Sequence, residues 1–108
     1  MKLGNDFFSF LGLAAKAGKC TFGAYACEKL VKSGRAHLII SDCGLSERSK
    51  HDIENMCKYY NVEHIEAEPE KKAGRACGKE GIMIIGITDK SFKDKLIELC
   101  ICGGAVLG

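Results

Sequence analysis

The sequence predicts an α/β protein, a three-layer α/β/α sandwich with a small mixed sheet of about four strands. Two observations lead to this fold class. Over the 108 residues, segments with apolar residues at helical spacing alternate with short apolar runs typical of buried strands. No linker, low-complexity segment or internal repeat interrupts this alternation, so we expect a single domain over residues 1–102 and a Gly-rich tail at 103–108.

The first third of the chain predicts a helix, a strand and a second helix. After Asn5, which can cap a helix, apolar residues recur at helical spacing and end before Gly18. These apolar residues are Phe7, Phe10, Leu11 and Ala14. Residues 20–22 can form a very short strand, and a second helix is predicted over 24–33, with Gly34 at its C-terminal end. The inward residues of this helix are Cys27, Leu30 and Val31.

The middle of the chain predicts a strand, a helix and a second strand. Residues 37–41 (HLIIS) form an apolar run typical of a buried strand. Ser46 can cap a third helix, on which one apolar stripe lies at helical spacing. The stripe consists of Ile53, Met56, Cys57 and Tyr60. Residues 62–67 alternate in polarity and predict a half-buried strand.

The last third predicts a short helix, a strand and a final helix. Pro69 suits the first turn of a helix that runs through Ala76. Residues 82–87 (IMIIGI) form the most hydrophobic strand pattern in the chain. The final helix begins near Ser91, and its inward residues are Phe92, Leu96, Leu99 and Cys100. Helices and strands in this order predict a central sheet that is covered on both faces.

The charge of the chain is unevenly distributed, although its composition is ordinary for a soluble globular protein, with 46% apolar and 28% charged residues. Residues 1–35 hold six Lys/Arg and two Asp/Glu, whereas residues 36–108 hold ten Lys/Arg and twelve Asp/Glu. This asymmetry predicts one basic face. No segment has the pattern of a signal peptide or approaches membrane-spanning length, so we expect a cytoplasmic protein with no membrane partner.

The seven cysteines and three histidines do not predict a catalytic or metal site. The odd number of cysteines argues against a complete disulfide framework, and no C-x-x-C pair occurs. Cys100 and Cys102 form only C-x-C, so a zinc site there with a histidine stays open but lacks the usual four ligands. His37, His51 and His64 lie apart on different elements. We therefore expect a protein that is not an enzyme and holds no cofactor or metal. We also expect a monomer.

The segment 14–35 contains the strongest functional signal. It carries five basic residues against one acidic residue, Glu28. The basic residues are Lys16, Lys19, Lys29, Lys32 and Arg35. Gly23 stands directly before a predicted helix, whose first turn offers free backbone N–H groups and a partial positive charge. Lysines beside a helix N-terminus favour an anion, and the expected anion is a nucleic-acid phosphate.

Several stretches, taken in order, resemble one family. The stretches are LGLAAKAGK, then a glycine, a helix and a Gly-Arg turn, then LIISD and finally KKAGRACGKEGIMIIGITD. In this order they are similar to the L-seven-Ae/L-thirty-e superfamily of ribosomal RNA-binding proteins, in particular to its small bacterial YlxQ-like branch. The resemblance covers roughly residues 9–96. It implies a three-layer α/β/α fold that binds RNA kink-turns or related internal loops, with structured RNA and the ribosome as partners.

The resemblance also implies a set of site residues. In the family, a glycine opens the second helix at the sheared G·A pairs of the RNA, and a lysine one turn on contacts guanine or the backbone. Gly23 and Lys29 stand at the matching positions, with the loops at 42–46 and 66–69 beside them. The complete expected RNA site is Lys19, Gly23, Tyr25, Lys29, Lys32, Cys43, Gly44, Ala67 and Glu68.

The chain departs from the family pattern at three positions, of which Tyr25 and Gly44 belong to this site. Tyr25 and Ala26 stand where kink-turn binders carry Asn-Glu, and Gly44 replaces an acidic position that in some members contacts a flipped-out base. Tyr25 is either a platform that stacks on an unpaired base or an exposed aromatic that flanks the core. Generic RNA affinity is therefore better supported than kink-turn specificity. The alternative function is a protein-interaction module on the same scaffold, with weak or lost RNA specificity.

Overall fold

One four-stranded mixed sheet lies between two layers of helices in residues 3–100, the part of the chain that the computed structural model describes. The strands are β1 (Cys20–Phe22), β2 (Leu38–Asp42), β3 (Glu63–Ala67) and β4 (Ile84–Ile87). The helices are α1 (Asn5–Lys16), α2 (Ala24–Lys32), α3 (Glu47–Tyr60), α4 (Lys72–Ala76) and α5 (Lys90–Cys100). The fold class predicted from the sequence is confirmed.

The strand order β1-β4-β2-β3 places the last strand of the chain in the middle of the sheet. β4 is antiparallel to both β1 and β2, whereas β3 is parallel to β2 and follows it through the α3 crossover. In this register Phe22 lies opposite Ile85, Ser41 opposite Ile84 and Asp42 opposite Ala67. The ends of β1, β2 and β3 and the start of β4 therefore meet at one edge, which we call the carboxyl end of the sheet.

Alternate side chains of the central strands form two separate apolar cores. On one face, Leu38 and Ile40 pack among buried residues of α1, α4 and α5. On the other face, Ile39 packs among buried residues of α2 and α3, including Val31 and Ile53. Full burial of each such side chain contributes about 1.5–3 kcal/mol. The period-two alternation of β2 therefore holds both helical layers onto one sheet.

The helix that was predicted to begin at Pro69 begins instead at Lys72. Lys71 adopts a φ of 69°, outside helical geometry, and its N–H donates to Asp42 at the end of β2. This long-range contact holds residues 68–71 in a loop. The last strand is also shorter than predicted, because the N–H of Ile82 donates to the carbonyl of Lys79 in a turn and regular pairing begins only at Ile84.

The cysteines of residues 3–100 behave mainly as small apolar side chains. Cys27, Cys57 and Cys100 are buried, and burial raises the pKa of Cys27 to about 12 and that of Cys57 to about 11. Within the described residues, no three His, Cys, Asp or Glu side chains are grouped to hold a metal ion. Cys102 and the expected tail at 103–108 lie outside the described residues.

No helix within residues 3–100 combines the length and the apolar character that crossing a membrane requires.

Gly12 allows α1 to lie directly against α4, and its replacement tests this packing. A Cβ at position 12 would lie 2.8 Å from the carbonyl oxygen of Ala76. Alanine usually favours a helix over glycine by about 1 kcal/mol. We nevertheless expect Gly12→Ala to lower the free energy of unfolding by about 1–3 kcal/mol, because backbone atoms cannot move aside cheaply. Urea unfolding followed by circular dichroism measures the change.

Ser9→Ala, at an exposed position of the same helix, is the matched control and should change the free energy of unfolding by less than about 0.5 kcal/mol. A Gly12→Ala protein as stable as the wild type would show that α1 and α4 separate without cost.

Candidate nucleic-acid interface

The carboxylate of Asp42 joins two loops at the carboxyl end of the sheet. Asp42 ends β2 and is only 1% exposed. Its Oδ2 accepts the N–H of Gly44 at 2.8 Å, and its Oδ1 accepts the N–H of Lys71 at 2.6 Å. Hydrogen bonds from backbone N–H groups to an ionised carboxylate are stronger than neutral ones. One buried side chain therefore fixes the β2–α3 loop (43–46) to the β3–α4 loop (68–71).

Gly23 places the start of α2 at the same end of the sheet. Its φ of 99° lies in a region that favours glycine, and its N–H donates to the carbonyl of Ile84 at 2.9 Å. The first turn of α2 has no side-chain cap and no acidic residue. The backbone N–H groups and the positive end of the helix dipole are therefore unopposed there, and this arrangement can receive an anion.

Tyr25 and Lys29 form a pair beside the start of α2. Tyr25 is 74% exposed, and Lys29 lies one turn further along the helix, with its Nζ 5.2 Å from the centroid of the tyrosine ring. This is a cation–π geometry, worth about 0.5–1 kcal/mol at an exposed site. In the described part of the chain Lys29 makes no ion pair. An aromatic face and an unneutralised cation thus adjoin the helix N-terminus.

Lys79 is a cation at this end of the sheet that the sequence analysis did not include. Its Nζ lies 5.4 Å from the ring centroid of Phe22, the residue directly before Gly23. No local spacing connects position 79 with position 22. The connection arises because the turn before β4 passes beside β1, which pairs with β4. The exposed Lys71, in the β3–α4 loop, adds another cation at this end of the sheet.

Carboxylates of the β3–α4 loop and of the ends of β2 and β3 lie on the other side of the site. Partial burial and then the carboxylates of Asp42, Glu68, Glu70 and Glu66 raise the pKa of the Cys43 thiol. The side chain of Glu70 covers Gly44, where a Cβ would lie 2.7 Å from the Glu70 Cγ. The site therefore carries cations beside α2, whereas the β3–α4 loop holds Glu68 and Glu70 next to Lys71.

The structure brings together most of the predicted site residues. Five of them lie at the carboxyl end of the sheet, namely Gly23, Cys43, Gly44, Ala67 and Glu68. Two more, Tyr25 and Lys29, lie beside them on α2. Ala67 is fully buried, so it contributes through its backbone, and its carbonyl accepts the N–H of Cys43 at 3.0 Å.

Two predicted lysines lie elsewhere. Lys19 precedes β1 at the opposite end of the sheet, where its carbonyl accepts the N–H of Thr88 at 3.0 Å and its Nζ lies 3.7 Å from Asp89 Oδ2. Lys32 stands at the C-terminal end of α2 and pairs with Glu28 at 2.9 Å. Segment 14–35 is thus divided between two ends of the molecule.

Comparisons with known proteins agree on one family. The family described as ribosomal protein L7Ae/L30e/S12e/Gadd45 matches residues 6–97. The chain is 32% identical over 96 residues to the RNA-binding protein YlxQ of Bacillus subtilis (strain 168), a match that covers 89% of this chain and 96% of the relative.

Solved structures share the fold. A protein of unknown function from Bacillus halodurans C superposes with a TM-score of 0.85 at 29% identity, over 90% of this chain and 98% of that chain. A 15.5kD RNA binding protein of Giardia lamblia superposes with a TM-score of 0.73 at 16% identity, over 90% of this chain and 87% of that chain.

Replacement of Asp42 tests whether its carboxylate holds the two loops. In Asp42→Asn the side-chain amide can accept only through its oxygen, so one backbone N–H loses its partner. We expect a loss of about 1–3 kcal/mol in the free energy of unfolding. We also expect faster hydrogen exchange at the amides of Gly44 and Lys71, measured by NMR.

Asp94→Asn is the control, since this exposed carboxylate pairs with Lys90 and Lys93 and its loss should leave the stability nearly unchanged. Unchanged exchange at Gly44 and Lys71 in Asp42→Asn would contradict the assigned role.

Proposed function

Since the chain belongs to the ribosomal protein L7Ae/L30e/S12e/Gadd45 family, we propose that it binds a structured RNA internal loop of the kink-turn type. Two similar proteins, YlxQ and the Giardia 15.5kD protein, are named for RNA binding. In this proposal the protein acts by binding and not by catalysis, as a monomer in the cytoplasm. Its partner is a ribosomal RNA or another structured RNA, and the ribosome is the assembly in which we expect it.

The observation that carries the proposal is the position of Gly23. It opens α2 at the carboxyl end of the sheet, the same end at which Asp42 holds the two loops. An internal loop splays its strands and exposes phosphates and base edges that a regular A-form helix hides. The positive end of the α2 dipole and the nearby ammonium groups of Lys29 and Lys79 would attract such a phosphate to the start of α2.

The contacts that read bases differ from the family pattern. Tyr25 and Ala26 replace the Asn-Glu pair, so two side chains that form hydrogen bonds with base edges are absent. The exposed ring of Tyr25 offers a stacking surface instead, worth about 1–3 kcal/mol per base in comparable platforms. Stacking tolerates any base, so we propose that this protein recognises the shape of the loop more than its sequence.

Neutralising one lysine at each end of the sheet tests the placement of the RNA. We expect Lys29→Gln to weaken binding to a kink-turn RNA several-fold and to reduce the salt dependence of log K by about one unit, because one phosphate contact is lost. Lys19→Gln removes the same charge at the opposite end and should have little effect. Fluorescence anisotropy at several KCl concentrations measures both variants.

Equal losses in the two variants would contradict a site confined to the carboxyl end of the sheet. Wild-type binding that responds weakly to salt would favour the protein-interaction alternative, because apolar interfaces are little affected by screening.

Restoring the missing base readers tests specificity. Tyr25→Asn with Ala26→Glu should raise the preference for a kink-turn over a plain duplex, because base-edge contacts discriminate by about 1–3 kcal/mol each in related settings. Both positions lie in the first turn of α2, where a carboxylate suits the helix dipole. Circular dichroism confirms the fold first. If the wild type already prefers the kink-turn as strongly, the proposed loss of base reading is wrong.

A further inference from the structure

A shallow groove of about 410 Å³ runs between α1 and α4, outside the site at the carboxyl end of the sheet. Its walls are Asn5, Phe8, Ser9, Gly12, Leu13, Lys16, Lys72 and Ala76. The two lysines are its charged groups, the amide of Asn5 and the hydroxyl of Ser9 add polar groups, and none of these lining residues is acidic. The chemistry of the walls therefore suits an anion.

Neither lysine of the groove pairs with a carboxylate of residues 3–100. Lys72 Nζ lies 3.0 Å from the Asn5 Oδ1 and 5.0 Å from the ring centroid of Phe8. These neutral partners orient the ammonium group without neutralising it. Lys16, in the last turn of α1, is exposed and makes no ion pair with any residue in the range 3–100. Other lysines differ, since Lys32 and Lys90 lie 2.9 Å from Glu28 and Asp94.

A second groove provides an internal comparison. It lies between α2 and α3 and is larger, at about 660 Å³, but Glu28 and Asp52 line it, and its lysine, Lys32, is already paired with Glu28. Carboxylates repel a polyanion and a paired lysine attracts it weakly. Of these two grooves, only the one between α1 and α4 has charge complementarity to a phosphate backbone.

The α1/α4 groove begins beside the proposed RNA site. The N–H of Leu3 donates to the carbonyl of Glu68 at 3.2 Å, which holds the N-terminal end of α1 against the β3–α4 loop. Lys72 directly follows that loop. From there α1 runs away from the carboxyl end, and its rise from Asn5 to Lys16 is about 16 Å. An RNA stem that passes the acidic β3–α4 loop on this side then meets the donors of the groove, from Lys72 to Lys16.

We propose that the α1/α4 groove binds the phosphate backbone of an RNA stem that extends from the internal loop. The inference rests on the proposed function and adds a second contact surface to it. Lys16 and Lys72 contact phosphates there without reading bases, so the groove contributes affinity and orientation and no sequence preference.

Two RNAs and two double variants test the inference. The RNAs are a kink-turn with minimal flanking stems and the same kink-turn with each stem extended by one helical turn. We expect Lys16→Glu with Lys72→Glu to weaken binding of the extended RNA about tenfold and to lower its salt slope by about two units. Binding of the minimal RNA should stay unchanged. The control is Lys58→Glu with Lys95→Glu, which changes the net charge by the same amount outside the groove. It should not weaken binding of the extended RNA more than binding of the minimal RNA.

Equal losses for both RNAs, equal losses in the control variant, or no loss for the extended RNA would each overturn the groove assignment while leaving the proposed function standing. If the wild type binds neither RNA, the proposed function fails and the groove assignment fails with it. Circular dichroism checks that each variant is folded. Lys16→Gln with Lys72→Gln, which removes charge without reversing it, replaces the Glu variant if that protein is unfolded.

Discussion

The two hydrogen bonds accepted by Asp42 are the interaction on which the candidate interface depends. A buried carboxylate is costly unless its oxygens are satisfied, and the backbone of Gly44 and Lys71 satisfies them from two separate loops. Asp42 can stand there because β2 is a central strand whose other side chains are held between both helical layers. The apolar core thus determines where two surface loops lie, although the loops themselves contribute few buried apolar side chains.

Charge is divided across the interface in a way that constrains how any polyanion can lie on it. The start of α2, with Lys29 and Lys79, attracts phosphates, whereas the Glu70 carboxylate in the β3–α4 loop repels them. A uniformly basic surface would accept a strand in many orientations. A surface with one attractive and one repulsive side favours few, so like-charge repulsion can supply orientation where base-reading side chains are missing.

Local patterns predicted most of the fold, because α1, α2, α3 and β2 each carry their own periodicity and end signals. Ser46, for example, caps α3 as its residue type and position indicated, and accepts the N–H of Ser49. The errors have long-range causes. Pro69 lies outside α4 because Asp42 holds Lys71, and position 79 joins the site only through sheet pairing. Proximity in sequence also placed Lys19 with Gly23, although the extended β1 separates them by roughly 10 Å or more.

The position of β4 has a consequence for when the interface can exist. β1 pairs with no described strand except β4, and the N–H of Gly23 is bound by the carbonyl of Ile84. When a ribosome has synthesised only the first three strands, Ile84 does not yet exist. The start of α2 at Gly23 then lacks the hydrogen bond that fixes its position. Residues about 60 apart in the chain must meet first, and such non-local closure is slow compared with helix formation. During synthesis, the candidate interface can therefore form only after β4 has been made.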